Sequence, residues 1–510
     1  MADRGSSPSR LEGLSRLTSW LPWLFPAALS AVIIVRSAAI SGRKALWSDE
    51  LLTWYPASAS FGSMWSATHD TLSAAPPLYF VLAWVWAHLF GNGAWSLRLI
   101  SSLAICAAIF AMFAVLRRVY GAIPAAAGVG IALAFGNFWI SHNAAEARFH
   151  PLFLAEIALA ILLYQRIMLD GSTVALLIAN TAIHAAMAYT HYFAPLYSGA
   201  LLLAALLNAL LNASLPPRRV VSYAASAVIG WLTFLPWIPT MLVHRDMGKP
   251  TFWIPIPRPG QLLGHYTENF TDQARALFVV LLIVVVATFR RRWWRFQHAT
   301  SESTAVLAVV PAIAVVPIAV FVLSTRPGAI PTFHGNYMLA TVLAWSIVVA
   351  HVSTWALQFT PKVPQVLLLI LALTLGGGWR TLDGAYAYVP RGYPVDPQGN
   401  EPVVVEHIHE FMALNFYSPH PTRYRYLIDP DVALSEGGGG PLGQKIMAAL
   451  KRQFPQYFPG VTTTEEFLSS TRTFLVRRGD GNWFPTRIQD NPAFTASVQG
   501  PRTLRVTRVN

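Results

Sequence analysis

The sequence predicts an α-helical polytopic membrane protein of about 11 transmembrane helices, with a long first outer loop carrying juxtamembrane helices and a small C-terminal α/β soluble domain. Three observations predict it. Of 510 residues, 54% are hydrophobic and 12% charged, with mean hydropathy +0.44, a balance outside that of soluble globular chains. Apolar runs of roughly 20 residues, the length that spans about 30 Å of hydrocarbon, recur from Leu21 to about Trp379 and then stop. Basic clusters fall between the runs in regular alternation.

The runs lie at about 21 to 40, 96 to 116, 122 to 142, 150 to 168, 173 to 190, 192 to 212, 220 to 241, 275 to 289, 303 to 324, 337 to 357 and 364 to 378. The tail 1–19, with Arg4, Arg10 and Arg16, is expected in the cytoplasm. Alternate loops then hold Arg117 and Arg118, Arg166, Arg218 and Arg219, "RRRWWR" (Arg290 to Arg295) and Lys362, so each strong basic cluster falls inside. Arg43 and Lys44 are the main exceptions. The net charge of +13 is therefore a topology signal and no nucleic-acid footprint. The first run exceeds the usual signal-peptide core and reads as a retained anchor, although Ser37, Ala38 and Ala39 offer the small residues of a cleavage site. Cys106, the single cysteine, sits mid-span as a small core hydrophobe and cannot form an internal disulfide. His184, inside the fifth span, suits a helix-to-helix hydrogen bond.

"PPLYFVLAWVWAHLF", Pro76 to Phe90, is too short for a crossing and opens with two prolines. Counting it would place Arg117 and Arg118 outside, so it reads as a juxtamembrane or re-entrant helix of the outer loop 42–95. In that loop Phe61, Met64, Trp65 and Thr68 follow i, i+3, i+4, i+7 spacing. This suits a short helix with its aromatic face in lipid, or one packed on neighbouring spans. Asp49 and Glu50, in "LWSDELLTWY", fall just beyond the first span at the water interface, where neither carboxylate is forced to pair.

Other outer connections gather polar groups: His142, Glu146, Arg148 and His150 in "FWISHNAAEARFHPLF", His191 and Tyr192 in "AYTHYFAPLY", Arg326, His334 and Asn336 in "STRPGAIPTFHGNY", and His244, Arg245, Asp246 and Lys249 in "HRDMGKP". Glu146 and Arg148, two apart, point to separate partners. Together these groups describe a mixed-charge cavity flanked by aromatic helices, suited to bring a lipid-linked anionic donor against a polar acceptor.

The acidic pair after the first span, the "PPLYF" helix, "SLRLISSLAICAAIFAMFAVLRRVYG" as second span, "EARFHPL" after the third and "THYFAPL" after the fifth follow one another from about Trp20 to Ala350. In this order they resemble the GT-C superfamily of polyprenyl-phosphate-sugar glycosyltransferases, among them bacterial relatives of protein O-mannosyltransferases and of the lipid A aminoarabinose transferase. The resemblance implies a GT-C-like catalytic domain at 20–380. It also implies an inverting enzyme that moves a sugar from a polyprenyl-phosphate carrier to an acceptor hydroxyl of a protein, lipid or glycan on the outer face. It makes Asp49 the base and gives Glu50 the acceptor, the sugar or a metal to hold. The leaving phosphate needs a fixed cation, for which Arg148 comes first and Arg326 second. Arg98, in "SLRL", is a further candidate or else an interfacial anchor. Glu146, His150, His191, Tyr192 and His334 are substrate contacts or structural polar groups.

Many relatives carry Asp-x-His before the double proline, where this chain has Ser73, Ala74 and Ala75. No cofactor is certain, and a divalent metal would have to turn to His69 and Asp70 nearby. The late Arg-Tyr of relatives is Asn336-Tyr337 here, which shifts that phosphate contact to Arg326.

The segment 381–510 alternates strand candidates, Pro402 to Val405, Arg423 to Ile428, Thr473 to Arg478 and Thr503 to Val509, with helical stretches such as Gly443 to Gln453. "SEGGGGP" between them lacks the Lys-Ser/Thr ending of a nucleotide cradle. This extracytoplasmic domain is expected to contact the acceptor or to cap the spans. The alternatives are a transporter or flippase for lipid-linked sugars, and an inactive scaffold of the same fold. A transporter would carry ionisable groups at the midplane and repeated halves, and this chain gathers its polar groups on one side. An Arg-heavy, Ala-rich composition points to a bacterial inner (plasma) membrane.

Overall fold

The computed structural model describes residues 20–509 except 73, 136–137, 248–253, 268–299, 360–398, 430–439, 480–482 and 501. Among the described residues, six helices are long and apolar enough to cross a membrane: Leu21–Ser41, Ala94–Tyr120, His150–Asp170, Ala194–Leu211, Pro217–Arg245 and Ser301–Ser324. Shorter apolar helices accompany them, and the chain is a multi-pass membrane protein. The runs at 275–289 and 364–378 lie outside the described residues, as does most of the glycine-rich "SEGGGGP".

The first span, α1 (Leu24–Ser41), leads into three short helices that fill the expected loop: α2 (Ser48–Ser58), α3 (Phe61–His69) and α4 (Leu78–Phe90). α4 ends at Gly91, whose φ of 84° stops the helix in a conformation that only glycine adopts readily. Its Tyr79, Phe80, Ala83 and Ala87 are buried against neighbouring helices, which holds it beside the spans. The apolar stripe of α3 divides between the two expected roles. Phe61 and Trp65 are exposed, whereas Met64 and Thr68 are buried.

α5 (Ala94–Tyr120) runs the depth of the bundle, about 40 Å at 1.5 Å per residue, and packs on α1 and α6 (His150–Asp170). Buried Ala104, Ala108, Ala111, Ala158 and Ala160 let these backbones approach, the device that replaces hydrophobic drive inside lipid. Cys106 is buried there, with its thiol directed at the Ser30 carbonyl. At one end of this pair Arg118 grips Asp170 through two bonds of 2.7 Å. The polar cluster lies at the other end.

α7 (Val174–Thr190), α8 (Ala194–Leu211) and α9 (Pro217–Leu232) follow. His184 bonds Ser198 at 2.8 Å and Tyr223 at 3.3 Å, so it ties three helices together. Two expected spans are not regular helices. The run 122–142 passes from α-helix into a π-helical stretch, Gly128–Phe135, and a Cβ on Gly128 would meet the Ser346 carbonyl at 2.5 Å. The run 220–241 breaks at the turn Leu235–Trp237, because Pro236 lacks the N–H that would continue the ladder. α10 (Val309–Ser324) and α11 (Thr341–Phe359) complete the described bundle.

The C-terminal domain is a six-stranded sheet in the order β3-β2-β1-β4-β6-β5. β1 (Val403–Val405), β2 (Tyr424–Ile428), β3 (Val461–Thr463) and β4 (Thr473–Arg477) are parallel, and β5 (Phe494–Gly500) and β6 (Thr503–Arg508) close one edge antiparallel. The four strands expected from sequence are present, and β3 and β5 are additional. Helices α12 (Ile408–Tyr417) and α13 (Gly440–Gln453) cover one face. The domain shares a core with the first loop. Leu51, Leu52 and Tyr55 of α2 pack with Phe411, Met412, Phe454 and Phe458, and the Tyr55 and Phe458 rings lie 4.7 Å apart. Burying each such side chain contributes on the order of 1.5–3 kcal/mol, so the domain is held by apolar contact.

Candidate functional site

The site is built on the first turn of α2. Asp49 and Glu50 lie where the helix dipole favours carboxylates. Successive helical residues point about 100° apart, so the two acids diverge.

Glu50 turns inward. It is fully buried, with Oε1 taking the Arg98 Nε–H at 2.7 Å and the Ala147 N–H at 2.9 Å, and Oε2 taking an Arg98 Nη–H at 2.6 Å and the Trp47 N–H at 3.3 Å. The same guanidinium donates at 2.8 Å to the carbonyls of Lys44 and Ala45. Glu50, expected at the water interface with no need to pair and with the acceptor, the sugar or a metal to hold, is instead buried with both carboxylate oxygens taken. Arg98 is likewise no interfacial anchor: it is 0% exposed, so neither solvent nor a lipid phosphate reaches it in this arrangement. The fork geometry of guanidinium on carboxylate stitches α5 to both ends of the turn that carries Asp49.

Asp49 keeps access to solvent. Its side chain is 30% exposed and that of Arg148 14%, and they face one another at 3.3 Å. Arg148 also donates to the Asp49 carbonyl at 3.0 Å. Glu146 has different partners, as its spacing from Arg148 implies: Lys44 at 2.9 Å and His142 at 3.1 Å. Burial alone would raise the Glu146 carboxyl, but His142 and Lys44 outweigh it and hold it down to about 2. A depressed carboxylate pKa stabilises the fold above its unfolded value of about 4.3 and loses that contribution as pH falls toward 2. Thermal unfolding is therefore expected to show Glu146→Gln well below wild type at pH 7, with the gap closing below pH 4. A constant gap down to pH 2 would contradict the pairing.

Behind this cluster lies an aromatic floor. His150 and His191 lie against Tyr337, tilted and edge-on, with ring centres 5.6 and 5.4 Å from it, and Phe149, Phe153 and Phe193 surround them. Both histidines, expected as substrate contacts or structural polar groups, are buried and face this cluster. Burial, and then the Arg148 charge, lowers His191 to about 3, so it is neutral at physiological pH. Its Nδ1 accepts the Phe193 N–H at 3.0 Å, which assigns the proton to Nε2. The Nδ1 of His150 has no hydrogen-bond partner among the described residues. His334 meets Trp139 edge to face at 5.4 Å, and Trp139 fits against Gly335, where a Cβ would come within 2.7 Å of the indole. Asn336 accepts from Asn143 at 2.9 Å.

Tyr192 bonds His244 at 2.7 Å, and His244 meets the Asp70 carbonyl at 3.1 Å. Arg326 lies exposed on the turn after α10. The lateral chains of Asp246 and Lys249 fall outside the described residues. His69 and Asp70 do not suit a divalent metal. Asp70 is occupied by Arg452 at 2.6 Å and Gln453 at 2.9 Å, and His69 Nδ1 faces the Trp65 carbonyl. A guanidinium on the one carboxylate opposes a cation. Among the described residues no group of three metal-ligating side chains converges. Sequence reasoning passed over Lys44, whose breach of the charge rule was the available signal.

No family model matches the chain, and no curated protein matches it in sequence. Solved structures do. ArnT from Cupriavidus metallidurans in the apo state aligns with TM-score 0.59 at 14% identity over 97% of this chain and 98% of that chain. The chain has the GT-C fold. ArnT bound to undecaprenyl phosphate gives TM-score 0.56 at 14% identity, over 96% of this chain and 98% of that one. An Archaeoglobus fulgidus oligosaccharyltransferase tethered with an acceptor peptide gives 0.47 at 10% identity, over 90% and 70%. The sequence resemblance ended near Ala350, whereas the GT-C likeness to ArnT takes in the C-terminal sheet as well.

Proposed function

We propose that the protein is an inverting glycosyltransferase that moves a sugar from a polyprenyl-phosphate carrier to an acceptor hydroxyl on the outer face of the bacterial inner membrane. The observation that carries this reading is the Asp49–Arg148 pair. It is partly open, whereas Glu50–Arg98 and Glu146–Lys44 beside it are buried and satisfied. The GT-C fold supports it, since ArnT of the same fold has been solved with undecaprenyl phosphate.

In this mechanism Asp49 accepts the proton of the acceptor hydroxyl while that oxygen attacks the anomeric carbon. The carbon–oxygen bond to phosphate breaks on the opposite face, its electron pair leaves with the polyprenyl phosphate, and the configuration inverts. Arg148 holds the departing charge, which needs no strong acid to protonate it. An arriving phosphate competes with Asp49 for the Arg148 guanidinium. Glu50 and Arg98 are the frame of the turn.

The test is a panel of radiolabelled polyprenyl-phosphate sugars, crossed with lipid A, peptide and glycan acceptors, in proteoliposomes. One donor is expected to be consumed by wild type, and Arg148→Ala is expected to lower its turnover by roughly 10²–10³-fold, the typical loss of one charge-stabilising donor. If wild type consumes no donor, the reading fails and transport across the bilayer becomes the question.

A further inference from the structure

The C-terminal domain presents a specific edge to Asp49. In its order β3-β2-β1-β4 the chain steps outward from β1 through β2 to β3 and then returns to β1's other side as β4. Ligand sites of parallel sheets gather at the carboxyl ends of the strands at such a switch point. Here the crevice after β1 and β4 is closed from within, because Glu406 takes the N–H groups of Gly479 at 2.7 Å and Phe484 at 3.0 Å. The chain leaves that point as Glu406-His407-Ile408-His409 and runs onto α2. His409 Nδ1 hydrogen-bonds the Ser48 hydroxyl, its ring lies 6.4 Å from that of Trp47, and the Asp49 charge acts on it. His407 stands 5.0 Å away, ring to ring. At the far end of α12, Tyr417 Oη accepts the Leu46 N–H at 2.7 Å. α12 thus meets the segment that carries Asp49 at two points, Leu46 and Ser48, and the apolar core beneath fixes the distance between them.

We infer that His409 is a positioning residue for Asp49, supplied by the C-terminal domain: its Nδ1 holds Ser48, and through Ser48 the adjoining carboxylate, at the angle from which it meets the acceptor. The inference rests on the glycosyltransferase reading for its effect on turnover, and on geometry alone for its effect on the turn. Glu50 and Arg98 fix the buried side of this turn, and His409 fixes the side that carries Asp49. A small displacement of a reacting group can cost as much as 10²-fold.

Two isosteric variants separate this role from others. Asn places a polar atom near the position of Nδ1, and Gln near that of Nε2. With the donor and acceptor that the panel selects, His409→Ala and His409→Gln are expected to lower kcat by roughly 10- to 100-fold with donor KM unchanged. His409→Asn is expected to restore most of it. Hydrogen exchange read without substrate follows the same order, faster at the Leu51 amide in the Ala and Gln variants and near wild type in Asn. Wild-type turnover in all three variants would overturn the inference. So would rescue by Gln in place of Asn, which would make His409 an acceptor contact through its second nitrogen. If wild type turns over no donor, the glycosyltransferase reading falls by itself, and the exchange at Leu51 still decides: unchanged exchange in His409→Ala removes the positioning role.

Discussion

Asp49→Asn is expected to bind the donor as wild type does and to turn it over roughly 10²–10⁴-fold more slowly, the range that a positioned general base supplies. Asn matches the size of Asp and keeps an oxygen for Arg148, but it cannot take a proton. The contribution of the pair to stability is small, about 0–1 kcal/mol for a partly exposed ion pair, so the loss will not arise from unfolding. Single-turnover measurement with radiolabelled donor, alongside equilibrium binding, separates the two quantities. Full activity in Asp49→Asn would remove the base assignment. Weakened binding at wild-type turnover would instead make Asp49 a donor contact.

The second large effect concerns folding. Arg98→Ala and Glu50→Gln are each expected to lower stability by about 3–5 kcal/mol, because each leaves a buried partner uncompensated. A double variant, Glu50→Leu with Arg98→Met, is expected to recover part of the loss. It removes both charges but still leaves the Lys44 and Ala45 carbonyls and the Ala147 N–H without partners. Thermal unfolding in nanodiscs gives the ranking. If Arg98→Ala melts with wild type and only donor affinity falls, Arg98 is a phosphate ligand after all, and the frame is not what holds the turn.

How far the sequence reveals this arrangement depends on the range of each contact. Apolar run length and the basic clusters locate most helices, because both report directly on the solvent around a segment. The separate partners of Glu146 and Arg148 follow from their spacing alone. Glu50 is misread because its position just beyond the first span reads as water-facing, while the groups that pair with it, Arg98 and the Ala147 N–H, lie 48 and 97 residues along the chain. Arg98 carries a hint of burial in its apolar flanks, which the position at a helix start obscures. The strand β3 has three residues, too few for any alternation, and β5 lies at an edge with most of its side chains exposed. His409 lies 361 residues from Ser48, and no local pattern connects them.

That separation also orders the assembly of the protein during synthesis. Glu50 and Arg98 are 48 residues apart, so the framework of the turn can close once the second long span has left the ribosome. Ser48 must wait for His409, a delay on the order of tens of seconds at about 5–20 residues per second. Until then the nascent bundle has its carboxylate and its guanidinium but lacks the contact from α12 to Ser48. A chain that stalls before His409 is made therefore holds its Glu50–Arg98 frame without the contact that fixes Ser48.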